Sequence, residues 1–476
     1  MRLTLWGLLV LSVLCGCQRA GQYPPKLPEI NKSPEEDKKT FDENWAWRKS
    51  KPPAFDTRII FIPDTNPEWS NLSAFWNRFP SPPAGLPTCH LGQTALGAVS
   101  ALVVTGHKDV VKIKVPRGLP DPTPNIPGSN PPTLAKWQLG KSLFHDRILV
   151  MSELESYSCA KCHDPKHGFC NEWAIDPLGG EYNTLSLINC VYNKHQFWDG
   201  RVNTLEQVLV RSLDDENVVG ERRIREHIWS GLVPHLDKDK SYRERFVRVF
   251  GTAPTQDNIA KALATYLRTI LSGNSIYDRA QSARGKDSVL TAKQLEAALT
   301  TNDVTALGQG KKAEAAEKLE KGYNLFHGKA RCQACHFGPL FTDHDFHNVG
   351  LGDSDIPQLL RRRRQGLPEP GRFGRVPVGL KESRLKGAFR TPTLRNLPRT
   401  KLYMHNGELE TLEAVVNFFD RGIGHLHENL APQLLQGPDE PQRLGLTKDE
   451  IGELVLFLRA LDGDEIDPIL LPPTKK

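Results

Sequence analysis

Six side chains in two short segments can do redox chemistry: Cys159-Ala-Lys-Cys162-His163 and Cys332-Gln-Ala-Cys335-His336. Both read CxxCH. Two thiols three positions apart lie on one turn and reach the two vinyl groups of a porphyrin, while the adjacent imidazole coordinates its iron. Each segment therefore predicts a covalently attached haem c with His163 or His336 as the proximal ligand. At the Cys and His frequencies of this chain, two accidental matches are about a one in 10⁴ to 10⁵ event. A zinc knuckle would want a fourth ligand at each site, and a thioredoxin-type CxxC lacks the trailing His.

The elements that must position these segments repeat with them. Gly140-Lys-Ser-Leu143-Phe144-His145 precedes the first motif and Gly322-Tyr-Asn-Leu325-Phe326-His327 the second, so GxxLFH occurs twice. Each copy is expected in a helix that packs a small residue and an aromatic against the haem-bearing segment. His145 and His327 read as satisfied histidines rather than iron ligands. Ile259, Leu263, Tyr266, Leu267, Ile270 and Leu271 form one apolar helical stripe, and Ile451, Leu454, Val455, Leu458 and Leu461 another. Thr447 with Glu450 is a capping box for the latter, which is expected to stop at Asp462-Gly463. Long Pro/Gly segments, Pro116 to Pro132 and Pro368 to Pro377, separate the helices, and no βαβ alternation is visible. The expected fold is mostly α with long loops.

The chain has 476 residues, and Lys+Arg 62 against Asp+Glu 56 leaves +6, too mixed a balance to imply nucleic acid. With 38% hydrophobic and 25% charged residues it is globular, not collagenous, disordered or a disulfide miniprotein. Arg2 followed by apolar Leu3 to Leu14 is too short to span a bilayer but has the length of a signal core. Small residues before Cys17 resemble a bacterial lipobox, which would lipidate Cys17 as the first mature residue; ordinary cleavage without lipid is the alternative. Residues 1–16 are thus expected to be a signal peptide and 17–51 a lipid anchor and polar tether, leaving an exported, periplasmic, membrane-anchored protein. In such a compartment Cys170 and Cys190 are candidates for a disulfide, with Cys89 left over. The run Arg361 to Arg364 reads as a solvated loop.

Together with both CxxCH motifs, the sequence carries Gln196-Phe197-Trp198-Asp199-Gly200-Arg201, Phe341-Thr342-Asp343 with Phe346-His347-Asn348, Phe389-Arg390-Thr391-Pro392-Thr393-Leu394-Arg395-Asn396 and Tyr403-Met404-His405-Asn406-Gly407. This ordered set, from about Leu139 to Leu461, resembles the bacterial di-haem cytochrome c peroxidase family, which includes MauG. The resemblance implies two class-I cytochrome c-like domains, a peroxidatic one at 133–285 and an electron-transfer one at 286–465, with an extension at 52–132 and a tail at 466–476. It implies two haem c groups, H2O2 as substrate and a small c-type cytochrome or cupredoxin as donor, and it admits a homodimer. Trp198 is the counterpart of the aromatic between the haems. A family calcium site would use the Asn183 side chain and backbone carbonyls at Arg390 and Pro392, the oxygen-only ligation a hard cation wants.

Three positions depart from the family. Its distal His aligns with Gly179, which implies a first haem open to peroxide. Its distal acid aligns with Val218, for which Glu216 is the nearest substitute as proton shuttle, a surface acid being the bland reading. The sixth ligand of the second haem aligns with Phe419, which cannot ligate iron; Met404 or His405 substitutes, or that haem is five-coordinate. The leading expectation is a peroxidase. The alternatives are a MauG-like oxidase modifying a protein and a tethered electron-transfer cytochrome.

Overall fold

Helices form where the apolar stripes and caps direct them, and glycine decides how closely they approach. The computed structural model describes residues 56–72, 75–76, 110–150, 156–171, 182–213, 228–284, 289–351, 371–376, 381–422, 429–436 and 440–472. The leader with Cys17, and Cys89, Gly179, Glu216, Val218 and Arg361 to Arg364, lie outside these residues. In chain order the elements are β1 (Arg58–Ile62), β2 (Val110–Lys114), α1 (Leu134–His145), β3 (Leu149–Val150), β4 (Ser156–Tyr157), α2 (Cys159–Cys162), α3 (Leu205–Ser212), α4 (Ile228–Lys238), α5 (Lys240–Phe250) and α6 (Gln256–Leu267). They continue with α7 (Ile276–Arg284), α8 (Ala292–Ala298), α9 (Thr301–Ala306), α10 (Lys312–His327), β5 (Phe346–His347), β6 (Phe389–Arg390), α11 (Leu412–Asp420) and α12 (Lys448–Arg459). The mostly helical expectation holds. The strands make three two-stranded pairs, of which β1 with β2 is parallel, Arg58 facing Val110 and Ile62 facing Lys114.

Among the described residues two large buried cores result, with a small third cluster of Phe346, Leu385 and Ala388. The first joins α1, α5 and α6 with Ile59, Phe61, Val111 and Ile113 of β1 and β2, so this part of the unassigned extension is core. The second joins α7, α8, α10, α11 and α12. The expected stripe of α6 is buried, with Ile270 and Leu271 just beyond its C-cap. Helix α12 starts at the Thr447/Glu450 capping box and ends at Arg459, short of Asp462-Gly463. The tail returns to the first core: Tyr266 Oη donates to the Leu470 carbonyl at 2.7 Å.

The GxxLFH repeat works differently from its expected role. A Cβ at Gly140 would overlap the Ala262 carbonyl oxygen on α6, and one at Gly322 would overlap the Glu453 carbonyl oxygen on α12. The glycines thus serve the α1/α6 and α10/α12 crossings rather than the CxxCH segments. The aromatics do face those segments, Phe144 lying 6.1 Å from Phe169 and Phe326 6.0 Å from Phe341, ring centre to ring centre.

A longer internal repeat also emerges, offset by 207 (391 − 184 = 207). Thr184 to Asn189 matches Thr391 to Asn396, both asparagines being left-handed at φ 61° and 62°. The Asn189 N–H donates to the Ile270 carbonyl and the Asn396 N–H to the Leu461 carbonyl, each just past α6 or α12. Gln196 bridges Val202 as Tyr403 bridges Leu409, followed by left-handed Phe197 and Met404. Thr204 caps α3 as Thr411 caps α11. Trp198 and His405 therefore occupy equivalent places.

The cores are pinned together by Arg395, whose guanidinium makes two 2.8 Å bonds to Asp278 on α7 and also donates to the carbonyls of Pro339 and Gly118. Removing one partner would leave a buried charge uncompensated.

The glycine crossings predict opposite outcomes for one chemical change. G140A and G322A should each destabilise the holoprotein by about 1–3 kcal/mol, since the helices must separate. G231A and G452A, which meet nothing within 4 Å, should stabilise it by about 0.5–1 kcal/mol. Denaturant midpoints of the four variants check this.

Candidate haem sites

Both CxxCH segments fold the same way. Cys159–Cys162 is a single helical turn and Cys332–Ala334 a 3-10 turn, which puts each pair of thiols on one side. The His163 N–H donates to the Cys159 carbonyl and the His336 N–H to the Cys332 carbonyl, both at 2.9 Å. The imidazoles are fixed alike: His163 Nδ1 bonds the Phe169 carbonyl at 3.0 Å and His336 Nδ1 the Phe341 carbonyl at 2.9 Å. A carbonyl only accepts, so Nδ1 carries the proton in each ring and Nε2 is left to bind a metal. Phe169 and Phe341 turn these carbonyls by adopting φ 56° and 51°, a conformation costly for a non-glycine residue. Sequence reasoning missed both; the only signal was a Phe six or five residues after each His.

Burial sets the protonation states. It lowers both His163 and His336, against the opposing pull of the Phe169 and Phe341 carbonyls, so the rings are neutral as iron ligands must be. It pushes the Cys159 and Cys332 thiols up to about 12, unlike the depressed thiols of redox CxxC pairs. Among the described residues the nearest approach to a metal cluster is Cys335, Asp343 and His347. Two of these already pair with each other, His347 Nε2 and Asp343 Oδ2 being 2.7 Å apart. Three donors fall short of a structural zinc set.

Around Cys332, Cys335 and His336 opens a cavity of ≈1530 Å³, counting the solvent at its mouth. Its walls are largely apolar, Leu394, Leu412, Val416 and Leu454 among them, as the walls of small-molecule sites are. A broad apolar slot with two thiols and an anchored imidazole fits a covalently bound porphyrin. Phe419, Met404 and His405 all line it. His405 is buried and stacks on Phe389 with ring centres 3.7 Å apart.

Trp198 lines the same cavity although it belongs to the first repeat. Its indole N–H donates to the Asn183 carbonyl at 2.8 Å, and its own carbonyl accepts from the Arg390 N–H at 2.7 Å. In the mirrored bond the Asn183 N–H donates to the His405 carbonyl at 2.8 Å. The rings of Trp198 and His405 are 6.4 Å apart. Asn183 Nδ2 donates to the Leu402 and Met404 carbonyls at 3.1 Å each, while its buried Oδ1 has no partner. An orphaned acceptor there suits a cation. Arg390 and Pro392 line the haem cavity, and the Pro392 carbonyl also faces His336.

Other candidates resolve differently. His145 Nε2 lies 3.1 Å from both Tyr266 Oη and the Leu470 carbonyl, and His327 Nδ1 bonds the Tyr323 carbonyl. Both are satisfied, as the bland reading had it. The disulfide expectation fails: Cys170 and Cys190 are free thiols. Cys170 Sγ bonds the His167 carbonyl and Thr400 Oγ1, while Cys190 Sγ faces the Leu267 carbonyl, so each is packed in place alone.

A family model described as di-haem cytochrome c peroxidase matches residues 134–288. Cytochrome-c peroxidase IdrP1 of Denitromonas iodatirespirans is 32% identical over 396 residues, spanning 77% of this chain and 92% of that protein. The chain belongs to the di-haem cytochrome c peroxidase family. Methylamine utilization protein MauG of Methylophilus methylotrophus is 28% identical over 74% of this chain and 88% of its own. Among solved structures, a MauG-like protein associated with microbial copper homeostasis shares the fold at TM-score 0.56 and 23% identity, over 75% of this chain and 97% of that one. The protein is accordingly a cytochrome c peroxidase-type oxidoreductase, of a family that implies two haem c cofactors.

His145 gives this region a pH signature. Burial pushes it down to about 4 against the pull of the Leu470 carbonyl. The unfolded chain takes up this proton near pH 6.5 and the folded site does not, so stability present above pH 6.5 is lost as pH falls toward 4. H145Q should flatten that slope in urea titrations of the holoprotein and leave the haem spectrum unchanged. A shifted haem band would instead make His145 an iron ligand.

Proposed function

We propose that the protein reduces H2O2 to two waters, consuming two protons and two electrons from a small c-type cytochrome or cupredoxin. Cys332, Cys335 and His336 would hold the haem that receives electrons, in a cytochrome c-like domain at 286–465, Cys159, Cys162 and His163 the haem that meets peroxide, in one at 133–285, and Trp198 would provide the path between them. The observation that carries this reading is the place of Trp198: buried, lining the second cavity from the first repeat, and tied at its indole and carbonyl to Asn183 and Arg390. The haems supply electron transfer and O–O cleavage; the chain supplies access, orientation and a proton.

In this reading Gly179 would offer the first haem no distal ligand, and Glu216 would hold the proton delivered to the leaving oxygen. The Phe419 side chain closes part of the second cavity without a donor atom, which leaves that iron to Met404, to His405 or to five-coordination. Calcium at Asn183 Oδ1, with the carbonyls of Arg390 and Pro392, would stiffen the strip that also holds Trp198. Export, a lipid on Cys17, a periplasmic setting and a homodimer complete the proposal. A second reading, a MauG-like oxidase acting on a protein side chain, takes its support from the likeness to MauG and from Trp198 as the exit for electrons. The third, an electron carrier, takes its support from Phe419.

Oxidation of a reduced c-type cytochrome by the holoprotein separates the three. Peroxide-dependent oxidation is expected, slowed in W198F and about a hundredfold slower in E216Q. Peroxide consumption that modifies a partner protein instead would favour the oxidase, and no peroxide dependence would favour the carrier.

A further inference from the structure

A buried cation needs an anion, and the other buried arginines have one. Arg268 makes two 2.7 Å bonds to Glu206, and Arg395 makes two at 2.8 Å to Asp278. Arg58 has Asp56 as its charge neighbour. Arg390 is only 3% exposed, yet its guanidinium is bonded to no carboxylate among the described residues. Its Nε reaches the Phe197 carbonyl at 3.4 Å, and one terminal nitrogen reaches Asn193 Oδ1 at 3.3 Å and the Thr391 carbonyl at 3.5 Å. All three are neutral acceptors, longer than the 2.7–3.2 Å typical of such bonds.

The two neighbouring imidazoles offer this charge no anion. Burial lowers His344 to about 4, and the charge of Arg390 lowers it further; His195 is lowered by the same two causes together with Arg372. Both rings are therefore neutral at pH 7 and cannot be accepting anions. The pseudo-equivalent of Arg390 is Asn183 (390 − 207 = 183), whose amide is well bonded to two carbonyls at 3.1 Å. The first repeat thus holds a neutral amide where the second holds a cation. Arg390 is among the residues that line the cavity of Cys332, Cys335 and His336.

A porphyrin seated there brings two propionate carboxylates. We propose that the Arg390 guanidinium binds a propionate of the haem attached at Cys332 and Cys335. Arginine presents a planar fork matched to a carboxylate, and the pair would give the buried charge the partner it lacks. Neutralising a carboxylate near the iron favours the ferrous state, so Arg390 raises the potential of the haem that receives electrons. The inference rests on haem attachment at the second CxxCH, which haem stoichiometry checks separately.

The test compares the holoprotein with R390Q and R390K, reading haem content by pyridine haemochrome, the propionate bending band by resonance Raman, and the second haem's midpoint potential at one pH. With two haems per chain, R390Q should move the propionate band toward its unbonded position. It should also shift the reduction equilibrium about tenfold toward ferric, 59 mV for one electron. R390K should recover most of the potential but not the band, because an ammonium is a point charge rather than a fork. If R390Q does not assemble, R390K decides alone through the band. An unmoved band in a variant carrying both haems overturns the proposal. One haem per unaltered chain overturns the attachment itself and the proposal with it.

Discussion

Two crossed backbone bonds hold the two halves in register: Asn183 N–H to the His405 carbonyl, and Arg390 N–H to the Trp198 carbonyl. Each runs from one repeat to the other and ends on the carbonyl of Trp198 or His405, whose rings lie 6.4 Å apart, centre to centre. Because these bonds are backbone to backbone, they fix where Trp198 and His405 sit irrespective of their chemistry. The repeats differ there in residue type, tryptophan against histidine and asparagine against arginine. An electron path between two cofactors needs such fixed geometry more than it needs any one side chain, and buried, hydrogen-bonded polar groups provide it.

The haem segments show how much of a site can be built from strain. His163 and His336 are aimed by carbonyls of residues in left-handed backbone, Phe169 and Phe341, and such conformations persist only where packing over-determines them. That packing comes from Phe144 and Phe326 at the ends of α1 and α10. Those helices can come close enough only because glycines 140 and 322 admit the backbones of α6 and α12. One chain of causes thus runs from a missing Cβ to the tautomer of the two CxxCH imidazoles.

What was legible in the sequence follows the same logic. The CxxCH segments are legible because their residue types and spacing repeat, and α6 and α12 because their apolar stripes are periodic. The aiming carbonyls were not, since any residue type can present a carbonyl and only φ reveals it. The 207-residue repeat was half visible in Thr204-Leu205-Glu206 and Thr411-Leu412-Glu413. It escaped notice because its other correspondences are conformational. GxxLFH is legible as a repeat, but a small residue signals closeness without naming the neighbour, and its glycine meets α6 or α12 rather than the CxxCH segment. The Cys170–Cys190 pairing failed because a buried thiol needs only a weak acceptor nearby to be satisfied. Arg390 appeared as a backbone ligand in a motif, and its side chain drew no attention because burial cannot be read from a charged residue type.

The central claim is a peroxide-reactive first haem fed by a second haem through Trp198. Its most direct test is the electronic and EPR spectrum of the fully oxidised holoprotein before and after one equivalent of peroxide. A high-spin ferric signal that is consumed by peroxide, with the second haem's signal perturbed in step, is the predicted result. Two low-spin haems indifferent to peroxide would contradict it and leave an electron carrier.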